Sequence, residues 1–333
     1  VLLILLTGVA YIVWMERKVV AHIQSRWGPY RVGPHGLLQP LADALKFLFK
    51  EDITPAGSDR FLYFLAPFIT LTMALLAVAA IPFGSSPNAS GPPTLVAISD
   101  LNIGLLFVLA VSSLGVYGIV LAGWASNSKY SLLGSLRASA QMVSYEISLG
   151  AGLVGVLMLS GSFNLREIVE YQSGFYYLGD VPVFPRWNIL PQFIGFFVYY
   201  ISAIAETNRS PFDLPEAETE LVAGFHTEYS SFKFAMFFIA EYTNMVVLSC
   251  LTTLLFFGGW LGPLFGPNWL QAILPTIWFV LKVLSFIFLY IWTRGTLPRF
   301  RYDQLMSFGW KFLFPLGILN VLLTGAVIIW QAN

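Results

Sequence analysis

The sequence predicts an all-α integral membrane protein, with about eight transmembrane helices and a cytoplasmic-side amphipathic helix forming one polytopic domain over residues 1–333. Three observations carry this reading. Hydrophobic residues make up 57% of the 333 and charged ones 11%, at a mean hydropathy of +0.72, a balance suited to lipid rather than to a water-soluble core. The apolar residues gather into eight runs, at about 1–15, 60–83, 101–123, 139–160, 189–206, 234–258, 270–293 and 311–331. The bases between the runs alternate, with fifteen on one side, two on the other, and Lys282 inside a run. The side rich in Lys and Arg is cytoplasmic, and an even number of spans then puts both termini outside.

The first run, Val1–Met15, is short of the about 20 residues a span needs, so a few residues are expected ahead of it. Glu16, Arg17 and Lys18 follow directly; read blandly, they anchor the helix at the interface. WGPYRVGP comes next, with Gly28, Pro29, Gly33 and Pro34 making it a turn-rich segment. Leu37–Lys50 reads as an amphipathic helix too short to span, lying along the membrane surface. Leu38, Leu41, Leu45, Leu48 and Phe49 form its apolar stripe, while Gln39, Asp43, Lys46 and Lys50 line another face. That polar face is either hydrated or turned toward an internal chamber.

Three titratable residues lie inside later runs: Glu146, Glu241 and Lys282. A charged group in the hydrocarbon costs about 2.5–3.5 kcal/mol or more, so such residues face the bundle interior and mark ion or proton paths. Between the fifth and sixth runs lies the densest charge in the chain, Ala205 to Tyr229, AETNRSPFDLPEAETELVAGFHTEY. It holds six of the 18 acids (Glu206, Asp213, Glu216, Glu218, Glu220 and Glu228) against one base, Arg209. Pro211 and Pro215 break the incoming helix, and a new one can start near Glu216. There Glu216 and Glu220 share a face at i, i+4, and their mutual repulsion raises the pH at which they ionise. The bland counterpart is a solvated acidic loop. Glu206, at a span's cytoplasmic end, is placed to join Glu146 and Glu241 to this loop.

Several function classes drop out. A formal net charge of zero offers no basic patch for nucleic acid. The single cysteine, Cys250, can build neither an internal disulfide nor an iron–sulfur or zinc site alone. His22, His35 and His226 lack metal-ligand spacing. Gly150, Gly152 and Gly155 spell GxGxxG, but no strand precedes them and an apolar run surrounds them, which points to close helix packing. Asn88-Ala-Ser is a three-residue glycosylation match of little weight.

Two long segments, ERKVVAHIQSRWGPYRVGPHGLLQPLADALKFLFKED and AETNRSPFDLPEAETELVAGFHTEY, closely resemble the signature segments of the H-subunit family of proton-pumping NADH:quinone oxidoreductases (respiratory complex I). SNSKYSLLGSLRASAQMVSYE and RYDQLMSFGWKFLFPL match as well, and FHTEYSSFKFAMFFIAEY looks like the bacterial members. The external loops FGSSPNASGPP and YQSGFYYLGDVPVF diverge. The resemblance implies a multi-pass subunit of the bacterial inner membrane, docked under a hydrophilic arm. Flavin and iron–sulfur clusters would sit in partner subunits, with quinone as substrate and no cofactor on this chain alone. Other membrane-arm subunits and lipid complete the expected partners, and nucleic acid is not among them. By motif position Arg17, Arg26, Asp43 and Lys46 would line the quinone chamber. Glu146, Glu206, Asp213, Glu216, Glu218, Glu220, Glu228 and Glu241 would form the acidic path to the proton-pumping arm. The rival readings are the membrane anchor of a related hydrogenase, which lacks the full Glu16–Asp52 signature, and a stand-alone proton-coupled transporter, for which an internal repeat is wanting.

Overall fold

Apolar runs of this length leave the backbone no partner in lipid but itself, so each folds as a helix. The computed structural model of the chain describes residues 2–86, 94–178, 181–213 and 223–332. The helices are α1 (Leu2–Ile23), α2 (Gln39–Phe49), α3 (Arg60–Val78), α4 (Gly104–Ala125), α5 (Lys129–Ser160) and the short α6 (Leu165–Tyr171). They continue as α7 (Phe193–Glu206), α8 (Ser231–Phe256), α9 (Asn268–Thr296), α10 (Tyr302–Phe308) and α11 (Phe314–Ala332). A π turn, Gly309–Leu313, fuses the last two. Among the described residues six helices are long and apolar enough to cross a membrane: α3, α4, α5, α8, α9 and the fused Tyr302–Gln331, with α7 a shorter apolar helix. Together with α1 and α7 they fall on the eight apolar runs in order.

The helices outrun the apolar runs. α1 continues through Glu16, Arg17 and Lys18 to Ile23, and α5 starts at Lys129 rather than near 139. No proline interrupts either stretch, and straight-chain charged residues propagate a helix as well as apolar ones do. Asp59 caps α3 by accepting a hydrogen bond from the Leu62 amide at 3.3 Å. The loops after α3 and α6 carry two small antiparallel hairpins: Gly84–Ser86 with Thr94–Val96, and Phe175–Leu178 with Val181–Pro185.

Two of the three GxGxxG glycines serve packing. A Cβ on Gly152 would meet the Gly195 carbonyl oxygen at 2.9 Å and the Tyr199 amide nitrogen at 3.0 Å, so only glycine lets α5 and α7 approach this closely. Gly155 lies against Asn320 of α11 and Gln192, while Gly150 has nothing within 4 Å. Gln192 joins α11 by donating to Thr324 Oγ1 and accepting from Asn320 Nδ2, both at 2.8 Å.

Lys282 departs from its expected place on an ion path. Its ammonium donates to the carbonyls of Phe257, Gly259 and Leu261 at 2.7–2.9 Å. A helix ends with unpaired carbonyls and a partial negative charge, and inside a membrane these must find donors. Gln172 supplies another to Leu254 and Asn188 one to Leu255. Lys282 thus caps the C-terminal end of α8.

Candidate functional site: an amphiphilic cavity beside a buried charge cluster

α1 faces both α2 and α8, and a cavity of about 590 Å³ lies between the three helices. α1 contributes Leu6, Val9, Ala10, Val13, Trp14 and Arg17, whose spacing of three and four keeps them on one face. α8 contributes Phe234, Ala235, Phe238, Ile239 and Tyr242, and α2 contributes Gln39, Pro40, Asp43, Ala44, Lys46 and Phe47. The result is an apolar slot with charge along one rim. At the rim Arg17 Nη1 pairs with Asp43 Oδ2 at 2.7 Å, Gln39 Nε2 donates to Asp43 Oδ1 at 3.2 Å, and Lys46 stands 3.8 Å from the same oxygen. The opposite, apolar stripe of α2 (Leu41, Leu45 and Phe49) is exposed, as suits a helix lying in the membrane interface. Arg17, Asp43 and Lys46 therefore meet at one rim. Arg26 does not join them: it sits on the loop after α1, where its Nε donates to Gln24 Oε1 at 2.8 Å.

Behind the cavity lies a cluster that the sequence does not disclose. Glu16, an interfacial anchor only on the bland reading, is 5% exposed. Its carboxylate accepts from the Tyr242 hydroxyl at 2.6 Å, lies 3.4 Å from Arg209 Nη1 and pairs with Arg294. Arg209, also buried, pairs with Glu241 at 2.6 Å and lays its guanidinium 4.1 Å from the centre of the Tyr242 ring. Buried charges require partners of this kind, and here four helices or loops supply them. The partners lie far apart in sequence, 193 positions for Arg209 and 226 for Tyr242, so no local pattern marks them.

Glu241 also lines a second, small cavity of about 40 Å³ shared with Glu206, Thr207, Asn208, His226 and Asn244, room for about two or three waters. Glu206 is buried there, with Oε2 free of any protein hydrogen bond. Its carboxyl hydrogen-bonds with Ser112 and lies near the charge of Glu146, and Ser113 donates to Glu146. Glu241, Glu206 and Glu146 thus form a series across α8, α7 and α5. Asp213, buried at 5% exposure, pairs with Arg299 at 3.1 Å. Glu228 is half-buried on the loop before α8, where its backbone carbonyl accepts from the Tyr63 hydroxyl at 2.6 Å. Beside it Tyr229 stacks on Tyr63 at 4.2 Å, and burial, with Tyr63 adding to it, holds its phenol well above the ordinary value. Glu216, Glu218 and Glu220 lie outside the described residues, as does Asn88. Among the described residues no group of three or more His, Cys, Asp or Glu side chains is placed to hold a metal ion.

The family model described as NADH dehydrogenase matches residues 1–325. A protein of Koribacter versatilis, named as a second H subunit of NADH-quinone oxidoreductase, is 60% identical over 338 residues, covering 97% of this chain and 93% of its own. One from Solibacter usitatus, named as a first H subunit of NADH-quinone oxidoreductase, is 49% identical over 99% of this chain and 95% of its own. The Thermomicrobium roseum protein named as the H subunit of NADH-quinone oxidoreductase is 51% identical over 98% and 93%.

Proposed function

We propose, from the premise that this chain belongs to the H-subunit family of NADH-quinone oxidoreductases, that it walls the chamber in which quinone is reduced and links that reduction to proton translocation. It is a multi-pass membrane component of an enzyme complex rather than an enzyme alone. The supporting observation is the cavity between α1, α2 and α8: apolar in depth, charged at one rim, and backed by buried carboxylates. A quinone is a flat apolar ring with carbonyl oxygens and a long apolar tail. The slot suits the tail, and Arg17 and Lys46 are donors suited to the carbonyl oxygens. Electrons would come from iron–sulfur and flavin subunits of the hydrophilic arm, since no residue pattern in this chain suggests a redox centre.

Reduction places negative charge near the rim, and protonation of groups leading inward must answer it. Glu241, Glu206 and Glu146 are the carboxylates proposed to carry that response. Asp213, Glu216, Glu218, Glu220 and Glu228 are proposed to feed it from the cytoplasmic loop, and Arg26 to act nearer the chamber's approach. Moving one proton against about 180 mV requires about 4 kcal/mol, so the response has to be tightly linked to the quinone.

Asp43→Asn tests the chamber. It removes the charge that holds Arg17 and Lys46 while keeping a side chain of the same shape. Because the Arg17 side chain is 46% exposed, the pair is discounted for solvent, and a rise in quinone KM of about three- to tenfold is expected. NADH oxidation with a soluble acceptor that bypasses quinone should continue unchanged. Equal loss of both activities would mean failed assembly, and an unchanged KM would remove the rim from the site.

We further propose that the membrane is the bacterial inner membrane and that both termini face outward, as the split of bases requires. Cys250 is buried, which leaves introduced cysteines as the reporters. In intact cells one at Asn268 should react with an impermeant thiol reagent, and one at Ser128 should not. Labelling of Ser128 from outside would invert the topology.

A further inference from the structure

We infer that the Tyr242 hydroxyl is a positioning group that transmits occupancy of the cavity to the buried charge cluster, an inference that rests on the assignment of that cavity to quinone. Among the described residues Tyr242 alone walls the cavity with its ring and places a polar atom in the cluster. The hydroxyl donates to Glu16 Oε2 at 2.6 Å, and the ring face carries the Arg209 guanidinium at 4.1 Å. A ring pressed from the cavity side therefore moves two partners at once.

The consequence follows from how Arg209 is shared. It sits 3.4 Å from Glu16 and 2.6 Å from Glu241, so its charge serves two carboxylates, the second more closely. Glu16 is also compensated by Arg294 and by the Tyr242 hydroxyl. When the hydroxyl is withdrawn, Glu16 loses one donor and draws more of Arg209. Glu241 is left with less positive charge beside it. Glu241 lines the small cavity that leads to Glu206, so the change arrives at the head of the carboxylate series. In a low-dielectric interior a shift of a few tenths of an ångström in such a contact has a large electrostatic effect. Tyr242 acts here through Glu16 and Arg209 and takes no part in the chemistry at the quinone.

The test is Tyr242→Phe in the native complex, which keeps the ring and the shape of the cavity wall. The expected result is a split: quinone KM within about twofold of the parent and kcat lowered about tenfold, the usual weight of a hydrogen bond to a charged group. NADH oxidation by a soluble acceptor should be unaltered. Combining Tyr242→Phe with Glu16→Asp, which retracts the carboxylate, should cost no more than the worse single change, because both break one link. A raised KM with normal kcat would make Tyr242 a wall residue only, and multiplicative effects in the double variant would separate it from Glu16; either overturns the inference. If Tyr242→Phe does not assemble, Glu16→Asp alone must show the same kcat-only loss, and a KM-only change would sink the link. Asp43→Asn, measured alongside, separates the two ideas. An effect of Asp43→Asn with a silent Tyr242→Phe refutes the link alone, and silence of both refutes the quinone assignment of the cavity.

Discussion

Ala10→Phe is expected to raise the quinone KM at least about tenfold while NADH oxidation through a soluble acceptor proceeds at the parental rate. Ala10 lies on the cavity face of α1, between Leu6 and Val13, and is half-buried. A phenyl ring there covers about 150–250 Å² of surface and projects into a space of about 590 Å³. Unlike a large residue forced into a filled core, it enters open volume, so the overpacking cost of about 1–3 kcal/mol does not arise. What changes is the room left for another flat ring and its tail. The helix itself tolerates the exchange, since alanine and phenylalanine differ by well under about 1 kcal/mol in helix propensity. Quinones with shorter tails should be less affected than long-tailed ones if the ring narrows the slot rather than the rim. An unchanged KM for every quinone would place the substrate elsewhere, and parallel loss of the bypass activity would indicate a failure of assembly.

How much of this is legible in the sequence depends on the distance over which each feature is encoded. The spans are written locally, as runs of apolar residues, and the helices fall on them. The ends are less well marked because Glu16, Arg17 and Lys18 continue α1 as readily as apolar residues do. The α2 face is written at helical spacing, and Asp43 and Lys46 stand at the cavity rim as that spacing suggests. Arg26, carried by a turn-rich loop rather than a helix, has no periodicity to fix its direction, and it points to Gln24 instead. The bland reading makes Glu16 an anchor, because a lone carboxylate at a span's end usually meets water. Its partners Arg209, Tyr242 and Arg294 come from distant parts of the chain, and only the packing of α1 against α8 and α9 brings them together. Lys282 shows the converse. Its charge in a span is plain, but its partners are backbone carbonyls, which every residue carries and no sequence pattern singles out.

Arg209→Met should produce the largest loss of stability of any single change considered. The side chain is 7% exposed and stands between two carboxylates, at 3.4 Å from Glu16 and 2.6 Å from Glu241. Removing one partner of a buried pair costs about 3–5 kcal/mol, because a charge is left in a medium that solvates it poorly. Glu16 keeps Arg294 and the Tyr242 hydroxyl, so the loss falls chiefly on Glu241. Residual activity after brief heating, compared with the parent, reads this directly. Adding Glu241→Gln should recover much of the stability, since the carboxylate charge that Arg209 balances is then absent. Arg209→Lys should recover little, because an ammonium cannot serve two carboxylates and lie across the Tyr242 ring at once. If Arg209→Met were as heat-resistant as the parent, the cluster would contribute no net stability, and the charge-sharing role assigned to Arg209 would lose its physical basis.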